Sequence, residues 1–196
     1  MIIFLDRQHS GKPLRPRDLG AGVDIDGDGS IAMEESEAIL TAYYLLSAEI
    51  ALRAHGYHVI PLSDGGYHER HERANSYHPH DESAIYVAAH LNAGGGGYGC
   101  FFYDHRSTTG ERLARHLKEA CKDALPEVRS WRTIPAERGN WTKNAYHTIM
   151  GVRATAICAE PLFMDCEPHA PLLTREGMER VGRALADGIH NYIRQL

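Results

Sequence analysis

The chain has 196 residues, of which 43% are hydrophobic and 24% charged, which suits one folded domain with a sizeable core and excludes large-scale disorder. A formal net charge of -5 argues against nucleic acid as the main partner, because phosphate binding needs a concentrated basic surface. The apolar start, residues 1–5, lacks the basic residues and the length of a secretory signal, and no segment reaches transmembrane length. We therefore expect a chain that is made in the cytoplasm and has no membrane anchor.

Short apolar segments alternate with longer helical ones along the whole chain. Strands are predicted, in chain order, at residues 2–5, 58–62, 84–89, 99–103 and 154–159. Helices are predicted at residues 35–55, 66–77, 108–125 and 174–195. The strands are apolar almost throughout, which is typical of strands covered on both faces. The alternation predicts an α/β fold, a single-domain three-layer sandwich with a mostly parallel sheet between two layers of helices.

The first predicted helix has the clearest helical period, and Gly56 ends it, as glycine commonly does. Its apolar stripe is expected to pack on the core and comprises Ile39, Ala42, Leu45, Leu46, Ile50 and Leu52.

Residues 24–35 fit the pattern of an EF-hand calcium loop. Carboxylates stand at loop positions one, three and five, glycine at six, isoleucine at eight and glutamate at twelve. The expected ligands of a structural Ca²⁺ are Asp24, Asp26, Asp28, Ser30 through its backbone carbonyl, and Glu35. The alternative is an Asp/Gly-rich turn with a helix cap. Residues 12–22 hold two prolines and two glycines, so no incoming helix is expected and the loop is not half of a paired EF-hand.

Polar side chains directly follow three of the predicted strands. His9 lies just past the first strand, His90 past the third and Glu160 past the last, while Glu37 stands near the start of the first helix. The chemistry of such sheets gathers at strand ends, and a catalytic zinc usually takes three protein ligands and leaves a position for water. His9, Glu37 and His90 therefore form a candidate zinc site. The glycine run at 94–97 is either a close backbone approach to a ligand or a flexible connection.

Taken in order along the chain, the motifs around these residues resemble those of the zinc-dependent N-acetylmuramoyl-L-alanine amidases of the amidase-3 type. Such amidases occur in cell-separation enzymes and phage endolysins. Residues 6–11 (DRQHSG) are similar to the family's Asp-Pro-Gly-His-Gly-like opening, and residues 88–93 (AAHLNA) to its Ser-Ile-His-Ala-Asn-like motif. Arg70 with Ala74-Asn75 resembles an Arg-x-x-x-Ala-Asn segment. The family's last strand, which ends in glutamate before a phenylalanine, is similar to residues 156–163.

Two further features complete the comparison with that family. Counting back from Gly56 at the family's spacing gives Glu37 as the helix-borne ligand. The chain departs from the pattern at Arg7-Gln8, where the family has proline and glycine, at Ala88, where it has serine, and at Met164-Asp165-Cys166, where it has asparagine.

The resemblance implies a zinc amidase in which Glu160 transfers protons, acting on the bond between N-acetylmuramic acid and L-alanine in peptidoglycan. No remaining segment of the sequence reads as a separate wall-binding module, and together with the lack of an export signal this favours a phage or prophage endolysin, expected to be a monomer that acts on the cell wall. Glu160 has a structural alternative, in which it caps a helix or pairs with Arg153. Two other functions remain open, a zinc amidase or peptidase on another amide and a non-catalytic calcium-binding interaction module. The helical His-Glu-x-x-His pattern of many zinc peptidases is absent from the sequence.

The four cysteines, Cys100, Cys121, Cys158 and Cys166, contain no close pair of the kind that a structural zinc ribbon needs. Cys100 and Cys158 lie in strand-like apolar segments, and we expect them to be small buried hydrophobic residues.

Overall fold

The computed structural model describes residues 1–9, 18–77 and 83–196, which contain one six-stranded sheet with helices on both faces. The strands are β1 (Ile2–Arg7), β2 (His58–Leu62), β3 (Ile85–Ala89), β4 (Gly99–Asp104), β5 (Trp131–Ala136) and β6 (Thr155–Glu160). The helices are α1 (Glu37–Ala54), α2 (Tyr67–Tyr77), α3 (Thr108–Ala124), α4 (Lys143–Ile149) and α5 (Arg175–Ile193), with short 3-10 helices at Met33–Glu35 and Glu167–Leu172.

The strand order is β2-β1-β3-β6-β4-β5, and every neighbouring pair is parallel except β4 with β6. The predicted α/β sandwich with a mostly parallel sheet is thereby confirmed. Because β1, β3 and β6 are parallel neighbours, their carboxyl ends meet at one edge of the sheet. The antiparallel β4 starts at this edge, where Cys100 is opposite Glu160.

Side chains from both faces of the sheet are buried. In β3, Ile85 and Val87 belong to the core that α1, α3 and α5 cover, whereas Tyr86 and Ala88 belong to the core under α2 and α4. Successive strand residues point to opposite faces, so a strand covered on both sides reads as continuously apolar. This explains why five of the six strands could be recognised from the sequence.

The predicted apolar stripe of α1 was wrong in part. Leu46 and Ile50 are 53% and 62% exposed, whereas the buried face includes Glu37, Thr41 and Tyr44. These three lie four and three residues apart along one side of the helix, as contacting positions do. The sequence also predicts that Glu37 shares one side of the helix with Thr41 and Tyr44, and this side faces the end of β3, where Tyr44 donates to the carbonyl of His90.

Two elements between residues 125 and 154 were not predicted. β5 contains Arg132 and Pro135, which are unusual in a strand, but β5 lies at the edge of the sheet, where proline is tolerated. α4 has seven residues, too few to display a helical period. The omission of α4 matters because this helix forms one wall of the candidate active site.

A buried ion pair fixes the end of β1. Arg70 and Asp6 are both fully buried, and the Arg70 Nη1 donates to Asp6 Oδ1 at 2.6 Å and to the carbonyl of Arg7 at 2.6 Å. Tyr86 and Gln8 also donate to the Asp6 carboxylate. Burial raises the pKa of Asp6, an effect that the charge of Arg70 opposes. The matched Arg-x-x-x-Ala-Asn segment therefore supports the chain just before His9.

The same segment also ties α2 to the residues before β6. Asn75 donates to the carbonyl of Gly151 at 2.8 Å and accepts from the N–H of Arg153 at 2.9 Å. None of the helices in the described ranges is long and apolar enough to cross a membrane.

Candidate active site

The structure brings His9, Glu37 and His90 together at the carboxyl ends of β1 and β3. His9 Nε2 lies 3.2 Å from Glu37 Oε1 and 3.2 Å from His90 Nδ1, and His90 Nδ1 lies 2.9 Å from Glu37 Oε1. One atom of each residue thus points to a common centre, and a metal ion could be held there.

The donor set fits zinc. Zinc–nitrogen bonds of about 2.0–2.1 Å in a tetrahedral site place neighbouring ligand atoms roughly 3.3 Å apart, close to the separations of the three donor atoms. Two imidazoles and one carboxylate also match the ligand types that zinc prefers. The other ring nitrogen of His9 lies 3.2 Å from Asp18 Oδ1, and a carboxylate in this place orients a metal-binding histidine.

Backbone amides hold the Glu37 carboxylate at the start of α1. The N–H of Ala21 donates to Oε2 at 3.1 Å, and the N–H of Leu91 donates to Oε1 at 3.0 Å. Burial alone would raise the pKa of Glu37, but the hydrogen bonds and charges of His9 and His90 hold it well below its usual range. Gly20, with φ of +72°, lies so close that a Cβ there would be 2.5 Å from Glu37 Oε2. The segment that follows His9 therefore needs a glycine here.

Glu160 is the last residue of β6 and lines the same cleft as the three donor residues. Asn92 Nδ2 donates to Glu160 Oε2 at 2.5 Å, and the thiols of Cys100 and Cys158 lie 3.9 and 4.0 Å from its carboxylate oxygens. Burial raises the pKa of Glu160 to about 7, against the charge of His90, which lowers it. A carboxyl group with this pKa can exchange protons near neutral pH.

The alternative pairing of Glu160 with Arg153 is wrong. Arg153 precedes the start of β6 and Glu160 ends it, so strand geometry separates their Cα atoms by roughly 20 Å. The backbone N–H of Arg153 instead donates to Asn75, at the opposite edge of the sheet.

The cleft has a volume of about 320 Å³ and includes a wall that the sequence did not reveal. α4 contributes Asn144, His147 and Thr148, and Tyr67 comes from the start of α2. No motif in the sequence marked these residues, and α4 itself was not predicted.

The glycine run after His90 packs closely against the segment that follows β6. The N–H groups of Gly94 and Gly95 donate to Asp165 Oδ2 at 2.7 and 2.8 Å. A Cβ at Gly96 would lie 2.3 Å from the ring of Phe163, so only glycine fits there. The close backbone approach that the glycines allow is thus to Asp165 and Phe163. Asp165, one of the departures from the family pattern, is the residue that anchors the run.

In the acidic loop, the carboxylates of Asp24, Asp26 and Asp28 lie close enough together to hold a cation. Gly29, the sixth loop residue, has φ of +88°, as the sharp turn of a calcium loop requires. Glu35 does not belong to this group of carboxylates and instead binds backbone N–H groups of the loop. Its Oε1 accepts from the N–H groups of Ile25 and Asp26 at 2.6 and 3.1 Å, and its Oε2 from that of Ala32 at 2.7 Å.

Ser30, in the middle of the acidic loop, contacts the third of its aspartates. Ser30 donates through its hydroxyl and its N–H to Asp28 Oδ1, which lowers the pKa of Asp28.

Two parts of the predicted motifs lie outside the described residues. They are Ser10 and Gly11 of the opening motif, and the proline-containing part of the segment before the loop.

No protein-family model matches the chain, and no curated protein matches it. Among solved structures, Cwp6 from Clostridium difficile superposes with a TM-score of 0.75 at 20% identity, covering 97% of this chain and 29% of that one. The N-acetylmuramoyl-L-alanine amidase AmiC2 of Nostoc punctiforme gives 0.72 at 18% identity, covering 99% and 97%. The catalytic domain of the CD27L endolysin, which targets Clostridia difficile, gives 0.68 at 16% identity, covering 97% of each chain.

These likenesses show a shared fold. The chain spans less than a third of the length of Cwp6 but nearly all of AmiC2 and of the endolysin catalytic domain. The fold that the motif resemblance implies, that of N-acetylmuramoyl-L-alanine amidases, is therefore confirmed.

Proposed function

We propose that the protein is a zinc-dependent N-acetylmuramoyl-L-alanine amidase that hydrolyses peptidoglycan. The observation that carries this proposal is the convergence of His9, Glu37 and His90 to within 3.2 Å of one another, with Glu160 in the same cleft. The fold shared with solved amidases supports the choice of substrate.

In this proposal the chain's residues divide the work of amide hydrolysis. His9, Glu37 and His90 hold the ion, which, when bound, polarises the amide carbonyl and acidifies a water molecule. Glu160 accepts the proton of the attacking water and passes it to the amine nitrogen of L-alanine as the C–N bond breaks. Asn92 holds the Glu160 carboxylate through the 2.5 Å hydrogen bond and so fixes its direction.

Digestion of purified peptidoglycan tests the proposal directly. The expected products are peptides with a free L-alanine amino terminus and glycan strands whose N-acetylmuramic acid carries a free lactyl carboxylate, both identified by mass spectrometry. Glu160→Gln serves as the matched inactive control. Cleavage at another amide in the stem peptide would replace this proposal with that of a zinc peptidase, and an absence of all cleavage by zinc-loaded protein would refute it.

We further propose that the enzyme acts as a monomeric lysin of phage or prophage type. The likeness of nearly the whole chain to an endolysin catalytic domain supports this proposal. Lysis of intact cells by the added protein, together with its mass in solution, tests it. A dimer, or wall digestion restricted to purified sacculi, would contradict it.

We also propose that residues 24–35 bind a structural Ca²⁺. The support is the loop pattern, the grouping of Asp24, Asp26 and Asp28, and the positive φ of Gly29. The backbone carbonyl of Ser30 supplies a further ligand. For Glu35 to bind as well, its carboxylate must exchange the N–H groups of Ile25, Asp26 and Ala32 for the ion. Calcium titration followed by calorimetry, with Glu35→Gln as a variant, measures whether it does.

A further inference from the structure

Trp141 is the most exposed of the large hydrophobic side chains in the described residues, at 70%. It stands in the turn before α4, and the edge of its ring contacts Phe102, with ring centroids 6.0 Å apart at 73°. The other tryptophan, Trp131, instead stacks on Phe101 and has a buried ring nitrogen. A large aromatic ring that is exposed to solvent and also packs against a second ring offers a flat binding surface. Little conformational entropy is lost when a ligand binds to such a ring.

Trp141 lies three residues before Asn144, in the turn that leads into α4, and Asn144 lines the cleft together with His147. We name Trp141, Asn144 and His147 the α4 wall. The α4 wall combines an apolar ring with an amide and an imidazole. The ring suits the apolar face of a pyranose, while the two polar groups suit hydroxyl and acetamido groups.

The dimensions of the cleft require the substrate to extend beyond it. A volume of about 320 Å³ lies at the lower end for a small-molecule site, and a polymer cannot be contained in it. Among the described residues that line the cleft, none is lysine or arginine. The cleft lining itself therefore offers no side-chain cation to the carboxylates of a stem peptide, whereas a neutral sugar needs none.

We infer that the α4 wall is a saccharide subsite, in which Trp141 stacks on a sugar ring of the glycan strand next to the muramic acid residue at the metal centre. This inference rests on the proposed function for the identity of the polymer. It extends that function by assigning the glycan, rather than the peptide, to the α4 side of the cleft.

The two tryptophans allow a binding experiment that is independent of catalysis. In Trp131→Phe, Trp141 is the sole tryptophan and can be excited selectively, and peptide-free oligosaccharides of alternating N-acetylglucosamine and N-acetylmuramic acid should change its emission in a saturable way. Trp141→Ala should weaken the binding of these oligosaccharides, measured by calorimetry, about tenfold, as expected for the loss of one aromatic contact. Trp141→Phe should lose less, and Met150→Ala, at the exposed apolar residue that ends α4, should bind as the wild type does.

Kinetics separate this inference from the proposed function. Trp141→Ala should raise KM for intact glycan strands and leave KM for a single muramoyl-peptide unit and kcat for both substrates unchanged. Equal affinity of Trp141→Ala and wild type for the oligosaccharides would overturn the subsite even in an active amidase. A response of Trp141 to free stem peptide but not to glycan would overturn it too. Glycan binding that depends on Trp141 in a protein without amidase activity would keep the subsite and refute the proposed function.

Discussion

Ala21 and Glu37 are joined by two hydrogen bonds that run in opposite directions. The carbonyl of Ala21 accepts from the backbone N–H of Glu37 at 2.8 Å, and the N–H of Ala21 donates to the Glu37 carboxylate at 3.1 Å. Two residues further along the chain, Val23 donates to the carbonyl of Glu35 at 3.4 Å. The short segment from Ala21 to Val23 therefore connects the acidic loop to a proposed zinc ligand.

The first prediction follows from this connection. The double variant Asp26→Ala with Asp28→Ala should lose the stabilisation by calcium, which mass action sets at about 2.7 kcal/mol for an ion present at 100 times its Kd. Zinc affinity should fall as well, because the segment that holds Glu37 loosens. Melting is followed with and without calcium at saturating zinc, and zinc affinity by competition with a chromophoric chelator. Identical melting curves of the wild type with and without calcium would show that the loop does not bind calcium and is only a turn.

The candidate site could be predicted from the sequence where its residues directly follow buried strands. His9, His90 and Glu160 stand at or just past the ends of strands whose apolar character comes from burial on both faces. α4 could not be predicted, because a seven-residue helix has no measurable period and its cleft-lining residues match no motif. The role of Asp165 was equally hidden, since its bonds to Gly94 and Gly95 join segments 70 residues apart in the chain.

The second prediction concerns metal binding. The wild type should bind one zinc per chain in the cleft, and His90→Ala should weaken zinc binding by more than about 100-fold, because a direct ligand is lost. His105→Ala is the matched control, since His105 lies just past β4 at the opposite edge of the sheet. Zinc content after dialysis is measured by atomic absorption. Full zinc and full activity in His90→Ala would remove His90 from the site.

The third prediction concerns the buried ion pair. Arg70→Met should destabilise the fold by about 3–5 kcal/mol, because the Asp6 carboxylate then remains buried without its counterion. Adding Asp6→Asn to this variant should restore part of the loss. Arg73→Met is the control on the exposed side of the same helix and should change the free energy of unfolding by less than about 0.5 kcal/mol. Urea denaturation measures all three variants, and a loss in Arg70→Met no larger than in the control would contradict the argument.

The fourth prediction concerns stability and pH in the metal-free protein. The pKa of Glu160 is raised from 4.5 to about 7 by burial, so the unfolded chain loses this proton at a lower pH than the folded chain. Because of Glu160, the free energy of unfolding therefore falls as the pH rises from 4.5 to 7. Glu160→Gln stays neutral, so it should match the wild type at pH 4 and exceed its free energy of unfolding by up to about 3 kcal/mol at pH 8. Equal stability of the two proteins at pH 8 would show that the carboxylate is well solvated.

The last prediction concerns Glu160 in catalysis. Glu160→Gln preserves the shape of the side chain and can still bond to Asn92, but it cannot accept a proton. It should keep the fold and the zinc while kcat falls by about 100-fold or more. The loss should appear in kcat rather than in KM, because the group acts on the water proton and not on the bound substrate.

The pH profile of the wild type provides the second readout for Glu160. Only the deprotonated carboxylate can accept a proton, so kcat/KM should rise with pH through its pKa. This pKa is about 7 without metal, and the positive charge of a bound ion stabilises the carboxylate, so the midpoint should lie below 7. Asn92→Ala, which removes the 2.5 Å hydrogen bond to Glu160, should lower kcat and shift the midpoint to higher pH. A zinc-loaded Glu160→Gln with near wild-type turnover would show that another group transfers the proton, and His147, in the opposite wall, would then be the residue to substitute.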